Sequence, residues 1–276
     1  MPENRTHASG EPVLETRGLT KIFGGLTAVN TLDMKIHKGE ILSLIGPNGA
    51  GKTTVFNMVT GIYRPAFGDV FFQGERITGG KPHRIVSYGI ARTFQNIRLF
   101  SDMTCRENVM AGQHCRSSSG LFSSIFKTPS QRAEERTIRE AAERRLKQVS
   151  LWKARDELAK NIAYGSQRML EIARALASDP VLLVLDEPSS GLNPRETDDL
   201  MAFLVEIVRE ENLTIWLIEH DMNMVMGISD WVVVMEEGRK IAEGRPEDIY
   251  ANQRVIEAYL GKEEEGEAGY GASAEH

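Results

Sequence analysis

The stretch Gly46-Pro47-Asn48-Gly49-Ala50-Gly51-Lys52-Thr53, continued by Thr54, has the G-x-x-x-x-G-K-[ST] spacing of a phosphate cradle. Its glycines let successive backbone N–H groups curl around phosphate oxygens, and a helix opening behind them adds partial positive charge. Lys52 would reach the outer phosphates, and the Thr53 hydroxyl would meet a divalent cation. Acidic chemistry lies at the end of the apolar run VLLVLDEP. There Asp186 can hold a metal through its water shell, and Glu187 can polarise an attacking water as general base. Alone, a carboxylate pair at a strand end is an ordinary solvated terminus; the phosphate cradle gives it a task. Gln95, in RTFQNIRLF, can accept a metal-bound water, and His220, in LIEHDM, can hydrogen-bond a terminal phosphate. Taken singly, a loop glutamine and a structural histidine are both commonplace. Ile162–Ser166, IAYGS, resembles a phosphate-binding turn that has lost its hydroxyl, set ahead of the strong helix former QRMLEIARAL.

These groups need strands and helices to position them. Leu32, Met34 and Ile36 alternate with polar residues up to a Lys38-Gly39-Glu40 turn, which predicts a half-buried strand. Ile41 to Ile45, Val181 to Leu185 and Thr214 to Ile218 are short, mostly apolar runs of the buried-strand kind. Lys52 to Thr60 reads as a helix stopped by Gly61. Strands separated by helices predict a doubly wound α/β core. Between Phe100 and Ala177 the pattern turns helical. Thr128-Pro129-Ser130-Gln131 is a start signal, and Ile138, Ala142, Leu146 and Val149 recur at helical spacing behind it. A helical subdomain inserted into the α/β core is the expected arrangement.

Composition sets the outer limits. At 276 residues, 41% hydrophobic and 26% charged, the chain belongs with globular proteins and is long enough for a sizeable core. No apolar run approaches the ~20 residues of a membrane span, and no charged-then-apolar segment directs export. The net charge of −6 argues against a nucleic-acid partner. Five glutamates after Gly261 face one lysine, so 261–276 reads as a disordered acidic tail. Cys105 and Cys115 fit no metal spacing and are expected to be free thiols in a reducing compartment.

Taken in order, Gly46–Thr53, Gln95, the glycine turn before a long helix, Asp186-Glu187 with SSGLN, and His220 make the chain resemble an ABC transporter ATP-binding subunit. The resemblance runs from about Val13 to Gly261. It implies a P-loop NTPase core of the ABC ATPase type, with an antiparallel β subdomain and a helical subdomain at about 97–178. Residues 13–260 would then be one ABC ATPase domain between a flexible 1–12 and the tail. ATP is the implied ligand and Mg²⁺ the implied ion, held by Thr53, Gln95 and Asp186. Phe23, in KIFGGLTAVN, matches the family's adenine-stacking aromatic, with a core phenylalanine as the alternative. Ile162 to Ser166 stand where the family has Leu-Ser-Gly-Gly-Gln, the turn that meets the γ-phosphate held by a partner cassette. Of that turn Ala163, Tyr164, Gly165 and Ser166 keep the second glycine but neither the serine hydroxyl nor the glutamine. Asn193 stands where many relatives have aspartate.

Ala-Tyr-Gly before QRMLEIAR, GLNP, IEHDMNMVMGISD, GLFSSIFKTPS and VIEAYLG further resemble the ATP-binding subunit of branched-chain amino acid importers. That implies a peripheral protein on the cytoplasmic face of the inner membrane. Its partners would be a second cassette, identical or related, and two transmembrane permease subunits, with a periplasmic binding protein acting indirectly. Leu121, Phe122, Ile125 and Phe126 fall on one side of a short helical segment, either lining the subdomain or docking on a permease. Rival readings are an amide or urea importer of the same group, a soluble ABC ATPase acting on nucleic acid or ribosomes, and a plain nucleotide kinase. The last leaves Gln95, the glycine turn and His220 without a role.

Overall fold

The computed structural model describes residues 10–113 and 129–260, without the side chains of 129–134 and 260. The segment with Leu121, Phe122, Ile125 and Phe126, the Thr128 cap, Cys115 and both chain ends lie outside the described residues. The chain divides into two compact units, one of Met1–Pro82 with Thr214–His276 and one of His83–Leu213.

In the first unit, β1 (Leu14–Phe23) pairs antiparallel with β2 (Leu26–Ile36) and with β4 (Phe67–Phe72), and β5 (Glu75–Arg76) completes that sheet. Leu32, Met34 and Ile36 are buried while the residues between them are exposed, as the alternation requires. The parallel core is β3 (Ile41–Ile45), flanked by β8 (Thr214–Ile218) and β9 (Trp231–Glu236), with β10 (Arg239–Gly244) antiparallel to β9. Every residue of β3 and β8 is buried, the mark of strands covered on both faces. Helix α1 (Lys52–Val59) buries Val55, Phe56 and Val59, and the Phe56 ring lies 5.4 Å from that of Trp216 in β8. Helices α7 (Met222–Ile228), α8 (Pro246–Tyr250) and α9 (Gln253–Leu260) follow, and Val225, Ile249 and Val255 close on Ile45, Val232 and Val234.

Helix α2 (Pro82–Ser87) spans the point where the chain passes into the second unit. There β6 (Ile90–Arg92) runs parallel to β7 (Leu182–Asp186), pairing Ile90 with Leu182 and Arg92 with Val184. The apolar run VLLVL is shifted by one residue from expectation: Val181 precedes the strand and Asp186 ends it. Around these strands lie α3 (Cys105–Gln113), α4 (Pro129–Gln148), α5 (Tyr164–Leu176) and α6 (Pro194–Glu211). Ala142, Leu146 and Val149 are buried as the spacing predicts, while Ile138 is half-buried. Cys105 is a buried free thiol whose pKa burial pushes up to about 11. Among the described residues no helix is long and apolar enough to cross a membrane.

Candidate active site

In the first unit the phosphate-type loop joins β3 to α1. Gly51 adopts φ 98° as the residue before α1, and a side chain there would run into the Ala28 carbonyl oxygen. The β9–β10 hairpin grips the same loop from outside. The Gly238 N–H donates to Ala50 O at 3.0 Å, and Gly238 O accepts from the Asn30 N–H at 2.8 Å. No side chain caps α1, so its first N–H groups suit phosphate oxygens. Lys52 is buried and its ammonium donates to Gly46 O at 2.5 Å and Pro47 O at 3.0 Å. Asn48, Gly49 and Thr53 are exposed, whereas Gly46, Pro47 and Ala50 are buried, and Thr54 is half-buried.

Phe23 ends β1 with 41% of its surface exposed, which removes the core alternative. Its ring meets Tyr63 edge to face at 5.3 Å, and the Lys21 ammonium lies 4.9 Å from its centre. Beyond β8 the three polar residues of the EHD string divide their tasks. Glu219 is fully buried and accepts the N–H groups of His220 and Asp221 at 3.0 and 3.3 Å. Asp221 caps α7 by accepting from Asn223 N–H. His220 is left pointing outward, its side chain 59% exposed. Its Nδ1 lies 3.9 Å from the Glu219 carboxylate.

In the second unit the acidic pair ends β7. Asp186 is buried, and Arg92 Nη2 donates to its Oδ2 at 3.4 Å. Burial raises the Asp186 pKa; the Arg92 charge pulls it back down and neighbouring Glu187 adds to the rise. Burial likewise lowers the Arg92 pKa against the opposite pull of Asp186. Glu187 adopts φ 47°, a left-handed backbone that a non-glycine residue holds only at some cost, commonly where function needs it. Gln95 Nε2 donates to Glu187 Oε2 at 2.8 Å. The guanidinium groups of Arg92 and Arg98 lie 4.8 and 4.3 Å from the centre of the Phe94 ring.

The glycine turn heads α5. Ile162 is buried, Ala163 and Tyr164 are exposed, and Ser166 is half-buried. Ala163 precedes the helix in extended conformation and offers no side-chain cap. The Tyr164 hydroxyl donates to Ser190 O at 3.2 Å. Gly165 is buried against the Glu196 carboxylate, which would meet any added side chain. Glu196 in turn closes a capping box with Asn193, with both hydrogen bonds at 3.0 Å. The turn is therefore braced on the SSGLN loop, and Asn193 serves as the cap of α6.

The structure brings Gln95 to Glu187, and the glycine turn to the loop of Ser190 and Asn193, inside one unit. Gly46–Thr53, Phe23 and His220 lie in the other. Sequence reasoning missed Arg92, Tyr63, Arg168 and Glu171. The last two are fully buried on α5, with Arg168 Nη1 donating to Glu171 Oε2 at 3.0 Å. The available signal was an Arg–Glu pair, three residues apart, on the apolar face of QRMLEIARAL.

Known proteins share this sequence and fold. The ABC transporter family model matches residues 29–190, and a model for branched-chain amino acid ATP-binding cassette transporters matches residues 239–265. The chain is 49% identical to the Pseudomonas aeruginosa high-affinity branched-chain amino acid transport ATP-binding protein BraF, over 91% of this chain and 98% of that one. It is 46% identical to LivG of Escherichia coli K12, which carries the same description, over 91% and 99% of the two chains. Among solved structures, a nucleotide-free ATP-binding cassette from an ABC transporter superposes with TM-score 0.79 at 32% identity, covering 90% of this chain and 99% of that one. The ADP conformation of the cassette MJ1267 superposes equally well, at 31% identity over 91% and 100% of the two chains. With its phosphate loop, its acidic strand end and these relatives, the chain belongs to the ABC transporter family, as an ATP-binding and ATP-hydrolysing cassette.

Proposed function

We propose that this cassette energises uptake of branched-chain amino acids through partner membrane subunits. The observation that carries the reading is near-full-length similarity to BraF, at 49% identity over 98% of that protein. In this reading the cassette sits peripherally on the cytoplasmic face of the inner membrane. It pairs with a second cassette, identical or related, and drives two transmembrane permease subunits that a periplasmic binding protein supplies. Residues 13–260 form the single cassette, with α3 to α5 in its helical subdomain of about 97–178.

Each group then has a task in hydrolysis. Phe23 stacks on adenine. Gly46 to Gly51, Pro47 excepted, wrap the phosphates with backbone N–H groups, with Thr54 in the first turn of α1 behind them, and Lys52 neutralises charge on the outer two. Glu187 takes the proton of the attacking water. His220 orients that water and the γ-phosphate, and Gln95 holds Glu187 and senses the phosphate. Ala163 to Ser166 meet the γ-phosphate held by the partner cassette through the Gly165 N–H and the head of α5.

The donor set suits Mg²⁺. Thr53 hydroxyl, Asp186 carboxylate and Gln95 amide are hard oxygen donors, and Mg²⁺ takes one or two carboxylates together with phosphate oxygens and water. When bound, the ion would neutralise charge developing on the phosphates.

Uptake in a strain lacking this gene tests the reading. Labelled leucine uptake should be lost, return with the wild-type gene and stay lost with Glu187→Gln. Unlabelled isoleucine and valine should compete, while amides and urea should not. Leucine uptake unaffected by the deletion, or competition by amides alone, would remove the substrate assignment.

A further inference from the structure

Helical charge pairs spaced three residues apart usually stand in water and contribute little. Arg168 and Glu171 do the opposite, with side chains 0% and 1% exposed. Desolvating such a pair is costly unless further hydrogen bonds satisfy it. Here those bonds come from the loop after β6. Arg168 Nη1 donates to Phe94 O at 2.9 Å and Nη2 donates to Gln95 O at 2.8 Å. On the other side the Arg98 N–H donates to Glu171 Oε1 at 3.2 Å.

The guanidinium fork thus holds the carbonyl of Gln95 and the one before it, so the backbone of Gln95 is fixed from α5. What remains free is the Gln95 side chain, and it ends on Glu187 at 2.8 Å. α5 begins with Tyr164, so the glycine turn lies within about one helical turn of Arg168 at the same end of the helix. A planar fork with two separate N–H arms can span adjacent carbonyls, whereas a lysine ammonium acts as a point charge.

We propose that Arg168, anchored by Glu171, is a positioning residue that keeps Gln95 in register with Glu187 and ties that register to the glycine turn heading α5. This deepens the reading above, since it rests on Glu187 as the base and Gln95 as its partner. Its consequence is directional. A shift of the head of α5, as when the turn engages a phosphate, moves the Gln95 backbone and so the orientation of Glu187.

The test is Arg168→Lys in the full chain, made alone and in a Gln95→Ala background, with kcat, KM for ATP and melting temperature read for each. Lysine keeps the charge opposite Glu171, so the fold survives. Alone it should lower kcat by up to about 100-fold, the cost of a small misplacement at the reacting centre, with KM changed less than about twofold. In the Gln95→Ala background it should add less than about twofold to the loss already present. Any change in melting temperature should be the same in both backgrounds. Glu171→Gln, which keeps an acceptor for the Arg98 N–H, should show the same dependence on Gln95. A kcat loss from Arg168→Lys that persists in full without the Gln95 side chain, or no loss at all, overturns the proposal. Wild-type turnover by Gln95→Ala alone is a distinguishable outcome: it removes the role of Gln95 itself, and the proposal with it.

Discussion

The amide of Gln95 donates to the carboxylate of Glu187 at 2.8 Å, joining groups 92 residues apart in the chain. A hydrogen bond to an ionised acceptor is about twice as strong as a neutral one and fixes direction as well as distance. Glu187 also sits on a left-handed backbone at φ 47°, so its side chain leaves β7 at an angle no regular strand would give it. Backbone and partner together aim one carboxylate oxygen at the amide. A general base needs that orientation before its substrate arrives.

Phe23 offers the simplest check on the nucleotide reading. It is 41% exposed and packs edge to face on Tyr63, so its removal should cost the fold little. Stacking of a base on an aromatic ring is worth about 1–3 kcal/mol, so Phe23→Ala should weaken ATP binding by roughly 5- to 150-fold. Nucleotide titration and a melting curve decide it. A large drop in melting temperature with ATP affinity unchanged would make Phe23 a packing residue.

Ala163→Ser separates two effects at the glycine turn. Ala163 precedes α5 at φ −58° and ψ 154° and gives the helix no side-chain cap. Serine there should cap the helix and stabilise the chain by about 1 kcal/mol, with or without ATP. A second, ATP-dependent gain would come from a hydrogen bond to the partner's γ-phosphate, limited to about tenfold in dimerisation, or ~1.4 kcal/mol. Denaturation of the monomer reads the first effect, and sedimentation with ATP reads the second. Altered ATP affinity in the monomer would mean that the turn acts within its own cassette.

Glu40 carries the pH dependence in the first unit. Burial, with Asp230 adding to it and the His37 N–H opposing it, raises its pKa from 4.5 to about 7. The native chain therefore keeps this proton over a range where the unfolded chain has released it. The sign follows: as pH rises from about 4.5 to about 7 this group makes the fold less stable. Each such unit is worth about 1.4 kcal/mol, so the whole span amounts to a few kcal/mol at most. Glu40→Gln should flatten that part of the stability curve, measured by urea denaturation across pH against wild type. Parallel curves for the two proteins would show that Glu40 titrates normally.

Much of this was legible in the sequence where local chemistry decides the structure. Ile41 to Ile45 and Thr214 to Ile218 are apolar but for Ser43 and Thr214, and a strand covered on both faces satisfies that pattern at five residues. The glycine spacing of Gly46–Thr53 dictates its own backbone. Asp186 and Glu187 were legible because they close another such run. Arg168 and Glu171 were not. A charged pair three apart in a helix looks solvated, and its partners, the carbonyls of Phe94 and Gln95, lie 74 and 73 residues away. Arg92 was hidden for a related reason: β6 has three residues, too few to show a period. Tyr63 escaped because nothing in the sequence brings it to Phe23.

The most direct test of the account is Glu187→Gln, with ATP binding and single-turnover hydrolysis measured on the same preparation. Lys52, Thr53 and Asp186 are untouched by the change, so ATP affinity should stay within about twofold of wild type. Hydrolysis should fall by roughly 10²–10⁴-fold, the usual worth of a positioned base, and ATP-bound dimers should accumulate. Hydrolysis near the wild-type rate, with ATP bound normally, would contradict the assignment of Glu187 and with it the mechanism built on the Gln95–Glu187 contact.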